Sequence, residues 1–216
     1  MFALSITRDP QEPLRLLCLG CHSDDIEIGC GGTILRLLRS GRRVDVTWVV
    51  FSSGPKREKE ARDSAQMFLR GADQSTVIVK DFKDGFFPYQ GAEIKAFVEE
   101  LKGAAPDIIF THNRKDAHQD HRLIAELTWN TYRNHFVLEY EIPKYDGDLG
   151  QPNVFVPLQP EDYEKKIQCL LEAFETQRNK HWFERQTFLA LMRLRGMECN
   201  SPSGYAEAFY GRKIVL

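Results

Sequence analysis

The chain has 216 residues, 42% of them apolar and 28% charged, and a formal net charge of −2 leaves no cationic surplus for a nucleic-acid surface or a polybasic membrane anchor. A length of this order predicts one domain, which buries roughly 70% of its unfolded-chain surface and so folds without a disulfide or a structural metal. No basic flank precedes an apolar run of signal-peptide length, no segment approaches a membrane span, and the five cysteines are odd in number without zinc-finger spacing. These features together predict a reduced, cytoplasmic protein.

In chain order, residues 1–13 read as a loose arm, and Leu14 to Gly20 is a short apolar run ended by glycine, a first strand. Gly29-Cys30-Gly31-Gly32 opens an amphipathic stretch from Thr33 to Arg39, which gives strand, loop and helix. Val44 to Phe51 is a second strand, broken by Ser52-Ser53-Gly54-Pro55, and Lys56 to Leu69 has apolar points at helical spacing. Val77 to Val79, Ala92 to Lys102, Asp107 to Thr111 and Arg122 to Arg133 continue the alternation as strand, helix, strand and helix. Beyond them come a strand over Phe136 to Ile142, a turn-rich Tyr145 to Gly150 and an extended piece at Val154 to Pro157. Helices follow over Glu161 to Phe174 and His181 to Arg195, and Tyr205 to Leu216 closes as an extended segment. The alternation predicts an α/β fold, Rossmann-like, with a mostly parallel sheet and helices on both faces.

Two acidic-histidine clusters stand out. His22-Ser23-Asp24-Asp25 lies just past the first strand, and His118-Gln119-Asp120-His121 just past the fourth. In a doubly wound sheet these strands are neighbours at the switch point, where ligands bind outside the carboxyl ends. The clusters are therefore expected to meet in space. His22, Asp25 and His121 offer two imidazole nitrogens and one carboxylate, a set that suits zinc and also iron or other first-row metals. Asp24 is left over as a carboxylate able to accept a proton from water activated at the metal. His118, if it is not a ligand, can serve a developing oxyanion or a leaving nitrogen. Asp120 is expected to hold an imidazole, foremost that of His118, with Asp116 a second candidate for such a role.

Two other motifs are weighed and set aside. Cys18 and Cys21 have C-x-x-C spacing, but alternation puts Cys18 on one strand face and Cys21 beyond the strand end. The glycines at 29 to 32 do not have dinucleotide-binding spacing, and Asp24, Asp25 and Glu27 before them would repel a pyrophosphate. They are read as allowing a tight turn and close helix packing.

His22-Ser23-Asp24-Asp25-Ile26-Glu27-Ile28-Gly29-Cys30-Gly31-Gly32-Thr33 resembles the first motif of the LmbE / PIG-L family of zinc-dependent N-acetylglucosaminyl deacetylases, usually His-Pro-Asp-Asp-Glu followed by glycines and threonine. His118-Gln119-Asp120-His121 is similar to the family's His-x-Asp-His motif, and Ser201 to Phe209 is similar to tails of bacterial members. The clear resemblance spans about residues 14 to 133. It implies a Rossmann-like sheet, frequent homo-oligomers, Zn2+ at His22, Asp25 and His121, Asp24 as general base, His118 as the electrophilic histidine and Asp120 as its orienting carboxylate. Arg57 is similar to a family arginine that contacts substrate. Ser23 replaces the usual proline, and Glu27 stands one residue later than the acidic residue of the motif.

The resulting expectation is an amidohydrolase that removes an N-acetyl group from an amino sugar or its conjugate, without nucleic-acid or membrane-spanning partners. A deacylase of a non-sugar amide would share the catalytic residues and differ in the loops around 80 to 90 and 140 to 155. A non-catalytic metal-binding scaffold is the third reading.

Overall fold

A computed structural model describes residues 12–214; the arm expected at 1–13 falls almost wholly outside them. Seven strands form one sheet: β1 (Leu14–Gly20), β2 (Val44–Val50), β3 (Gln74–Val79), β4 (Ile108–His112), β5 (Phe136–Tyr140), β6 (Val154–Pro157) and β7 (Ala206–Gly211). Their order is β3-β2-β1-β4-β5-β7-β6. The first five in this order are parallel, and β7 runs antiparallel to both β5 and β6. Six α-helices accompany them: α1 (Asp25–Arg39), α2 (Pro55–Phe68), α3 (Gly91–Glu100), α4 (Gln119–Thr131), α5 (Pro160–Ala173) and α6 (Arg185–Glu198).

The two-residue period of β1 divides the core. Leu14, Leu16 and Cys18 face a cluster built with α1, α2, α5 and α6. Leu17, Leu19 and Cys21 face a second cluster with Ile94 and Val98 of α3 and Ile124 of α4. Both sheet faces are thus covered, which is why the central strands read as continuous apolar runs. Cys18 and Cys21 lie on opposite faces, and all five cysteines are free.

Contrary to the expected start at Thr33, α1 begins at Asp25, so the glycine run lies inside the helix and makes no turn. Close packing is what these positions require: a Cβ on Gly29 would stand 2.2 Å from the Tyr140 ring, one on Gly31 2.5 Å from Phe68 and one on Gly32 2.6 Å from Leu158. The β3 strand is also longer than its apolar residues suggested, because Gln74 to Thr76 pair with β2 while exposed.

Candidate active site

β1 and β4 are hydrogen-bonded neighbours, so the segments that leave their carboxyl ends meet. Residues 21 to 24 turn the chain from β1 into α1, and the His22 N–H donates to Asp25 Oδ2 at 2.7 Å, fixing that carboxylate. Across the strand boundary, His121 comes from the first turn of α4. His22 Nδ1, Asp25 Oδ2 and His121 Nε2 converge, with separations of 3.2 Å between the two nitrogens and 3.4 and 3.6 Å from these to the carboxylate oxygen. Donors on a tetrahedral ion with bonds of about 2.0–2.1 Å are about 3.3–3.4 Å apart, so the set fits a first-row divalent cation.

The surroundings prepare these atoms. Asp116 Oδ2 is 3.0 Å from His121 Nδ1. Burial raises the Asp116 pKa, but the His121 hydrogen bond and the charges of His121, His112 and Lys144 outweigh it and hold the carboxyl well below its ordinary value. A carboxylate there keeps the proton on Nδ1 and leaves Nε2 bare toward the cluster. Burial lowers the His22 pKa, yet hydrogen bonds to Asp120, Asp25 and Asp84 raise it well above the ordinary value. The same negative field that favours a proton on His22 favours a cation.

Asp24 is buried, and its Oδ1 accepts from Arg57 Nη2 at 2.9 Å. Arg57, read from the sequence as a substrate contact, therefore pairs with Asp24. His118 caps α4: its Nδ1 accepts the Asp120 N–H at 3.2 Å. That bond leaves Nε2 as the protonated nitrogen of a neutral ring. Burial, with the charges of His121 and His22, lowers the His118 pKa and favours this neutral form. The ring stacks on His121 with centroids 4.5 Å apart and meets His22 edge-on at 5.0 Å.

Asp120 does not hold the His118 ring. Its Oδ2 accepts from the Gly85 N–H at 2.7 Å and its Oδ1 from the Phe87 N–H at 3.1 Å, while Oδ2 stands 3.7 Å from His22 Nε2. These bonds fasten the 85–87 segment beside His22. The orienting bond of the second cluster comes from Asp116 and goes to His121.

Two neighbours escaped sequence reasoning. Asp84 Oδ1 lies 3.0 Å from His22 Nε2, with its side chain 70% exposed; it sits in the loop around 80 to 90, outside both clusters. His112, the last residue of β4, is wholly buried, with Nε2 3.2 Å from Asp25 Oδ2 and its ring stacked 3.9 Å from that of His121. Its place at the carboxyl end of the strand adjoining β1 was the available signal. Cys21, Asp25, His112 and His121 form a second overlapping donor group, in which burial, with the charges of Asp25, Asp120, Asp116 and Asp84, pushes the Cys21 thiol well above its ordinary pKa.

The family model described as PIG-L: GlcNAc-PI de-N-acetylase matches residues 17–132, more than half of the chain and both clusters. The chain belongs to the PIG-L family. Among relatives of this PIG-L protein, the uncharacterized deacetylase YaiS of Escherichia coli K12 is 27% identical over 169 residues, 72% of this chain and 88% of YaiS. N,N'-diacetylchitobiose deacetylase from Pyrococcus horikoshii shares the fold, with a TM-score of 0.70 and 21% identity over 94% of this chain and 87% of that one. So does GalB, the 4-carboxy-2-hydroxymuconate hydratase of Pseudomonas putida KT2440, with a TM-score of 0.72 and 18% identity over 94% of this chain and 98% of that one. Among the described residues, no helix is long and apolar enough to cross a membrane.

Proposed function

We propose that this PIG-L protein is a metal-dependent N-deacetylase acting on an N-acetylated amino sugar or its conjugate. The observation that carries the reading is the convergence of His22 Nδ1, Asp25 Oδ2 and His121 Nε2 within 3.2 to 3.6 Å of one another, from clusters on two neighbouring strands. These three residues would hold the ion; the donor set suits zinc, and ferrous iron as well. When bound, such an ion supplies Lewis acidity, making a water more acidic and polarising an amide carbonyl.

The chain's own groups do the rest. Asp24 takes the proton of the attacking water, and Arg57 Nη2, 2.9 Å from Asp24 Oδ1, fixes the place of that carboxylate. The Nε2–H of His118 donates to the carbonyl oxygen as negative charge gathers there. The departing nitrogen leaves with the proton that Asp24 took, so acetate and a free amine are formed and Asp24 returns as a carboxylate. At the rim, Asp84 adds an exposed carboxylate beside Phe86 and Tyr89, which are 45% and 84% exposed. Hydroxyl acceptors next to aromatic faces match the surface of a sugar ring. The likeness to a diacetylchitobiose deacetylase supports the same class.

The likeness to a hydratase means that fold alone does not select the reaction, so the test is acetate release. Metal-loaded and chelated protein are incubated with free N-acetylglucosamine, diacetylchitobiose, nucleotide-linked N-acetyl sugars and acetylated non-sugar amines. Acetate from the sugars, with loaded protein only, is the expected result. Acetate from non-sugar amides alone overturns the substrate class. A protein that binds one equivalent of metal and releases none is a scaffold.

A further inference from the structure

Away from the donor cluster, two ion pairs among the described residues are buried, Glu141–Arg195 and Glu207–Lys166, and the second reaches α1. Glu207 on β7 and Lys166 on α5 are both buried, with Lys166 Nζ 2.7 Å from Glu207 Oε1. Their other hydrogen bonds all run to the interior of α1. Glu207 Oε1 accepts from the Gly32 N–H at 2.8 Å, and Oε2 accepts from both the Thr33 N–H and the Thr33 hydroxyl at 2.6 Å. Lys166 Nζ donates to the Ile28 carbonyl at 2.6 Å.

Inside a helix each N–H is aimed at the carbonyl four residues earlier; consecutive N–H groups aimed at a carboxylate belong to a helix start. The interior of α1 between Ile28 and Thr33 is therefore opened and bridged by charge. The earlier segment carries Asp25 in its first turn, and the later one runs from Thr33 to Arg39. Ile28 links the ion pair to the first turn of α1: its carbonyl accepts from Lys166 while its N–H donates to the Asp24 carbonyl at 3.0 Å. A cavity of about 20 Å³ borders Ile28, Gly29, Lys166 and Glu207.

We propose that the Lys166–Glu207 pair is a positioning device for the metal site: it sets where the first turns of α1 stand, and through them Asp25 and Asp24. This rests on the reading of His22, Asp25 and His121 as metal ligands. A buried ion pair adds little net stability over apolar side chains of similar size, whereas the loss of one partner strands a charge. Fixing a geometry is the better account of its place here. The pair also gives a role to the tail segment Ser201 to Phe209, which the catalytic reading leaves unused. A carboxylate is required at 207, because it accepts from Lys166 and from three donors of α1, whereas a glutamine amide would turn N–H donors toward N–H donors.

The test measures zinc affinity by competition with a chromophoric chelator, and melting by circular dichroism. The proteins are wild type, Glu207→Gln, Thr33→Val, Lys166→Met/Glu207→Gln and the core control Val98→Ala on α3. The double variant strands no charge, and Thr33→Val keeps the pair while removing one bond to it. Zinc Kd is expected to rise about 10–100-fold in both Glu207 variants, the range typical of groups that orient metal ligands, and less in Thr33→Val. Val98→Ala is expected to melt earlier with unchanged Kd. Folded Glu207 variants that bind zinc within threefold of wild type overturn the proposal, as does an equal loss of affinity in Val98→Ala. Wild type that binds no zinc removes the ligand reading itself, and the inference with it.

Discussion

At the residue scale, the proposed function divides the two clusters into groups that would hold an ion and groups that would react. With His22, Asp25 and His121 as ligands, Asp24→Asn should lower kcat by about 10²–10⁴-fold with one equivalent of metal still bound; undiminished turnover removes Asp24 from the chemistry. His118→Ala should lower kcat by about 10²–10³-fold and keep its metal, whereas His121→Ala should lose it; equal metal loss in the two would mean that their roles are wrongly divided. Glu27 makes a separate prediction. It is fully buried, and burial pushes its pKa well above the ordinary 4.5, with Asp24 and Asp25 adding to the shift and a hydrogen bond from Ser64 opposing it. A raised folded-state pKa contributes stability below 4.5, and that contribution is lost as pH rises from there toward the folded value. Glu27→Gln should therefore melt above wild type at pH 8, with the gap closing toward pH 4; a constant gap would mean that another group titrates. The converging residues were legible because residue type and spacing advertised them. Asp84 and His112 were not, since a single acid in a loop and a histidine ending an apolar strand carry no spacing signal.

At the element scale, α1 departs most from what periodicity suggested. Its glycines looked like a breaker, and half of that reading had a physical basis: the segment is opened where they sit, but by a charged pair that arrives from β7 and α5. Such a pair is invisible locally because Lys166 lies 41 residues from Glu207 and 138 residues from Ile28. The glycines serve contact instead. Gly29→Ala would drive a methyl group into the Tyr140 ring, 2.2 Å away, while Tyr140 donates to the Leu19 carbonyl and cannot swing freely. Overpacking of this kind costs about 1–3 kcal/mol, which chemical denaturation would read as a lower midpoint with an unchanged slope. A Gly29→Ala protein as stable as wild type would show that the ring yields.

At the scale of the whole molecule, the neighbouring of β1 and β4 was legible because strand and helix alternate and crossovers keep one hand. The antiparallel end, β5-β7-β6, was not, because short extended pieces carry no information about their partners. Binding a cation only in the folded state couples the site to global stability. Metal at a thousandfold its Kd adds about 4 kcal/mol, and chelation should lower Tm by roughly 10 °C and abolish acetate release together, with both restored by zinc. An unchanged melt after full chelation would sever that coupling. The place of β7 also bears on time. It is the last strand in sequence among the described residues, yet it lies inside the sheet between β5 and β6 and brings Glu207 to α1. A chain leaving the ribosome presents both histidine clusters long before it presents this strand. If Glu207 anchors α1 as proposed, an ion met before β7 has paired with β5 and β6 would find its donors on an unanchored helix, and the site would be completed late in synthesis.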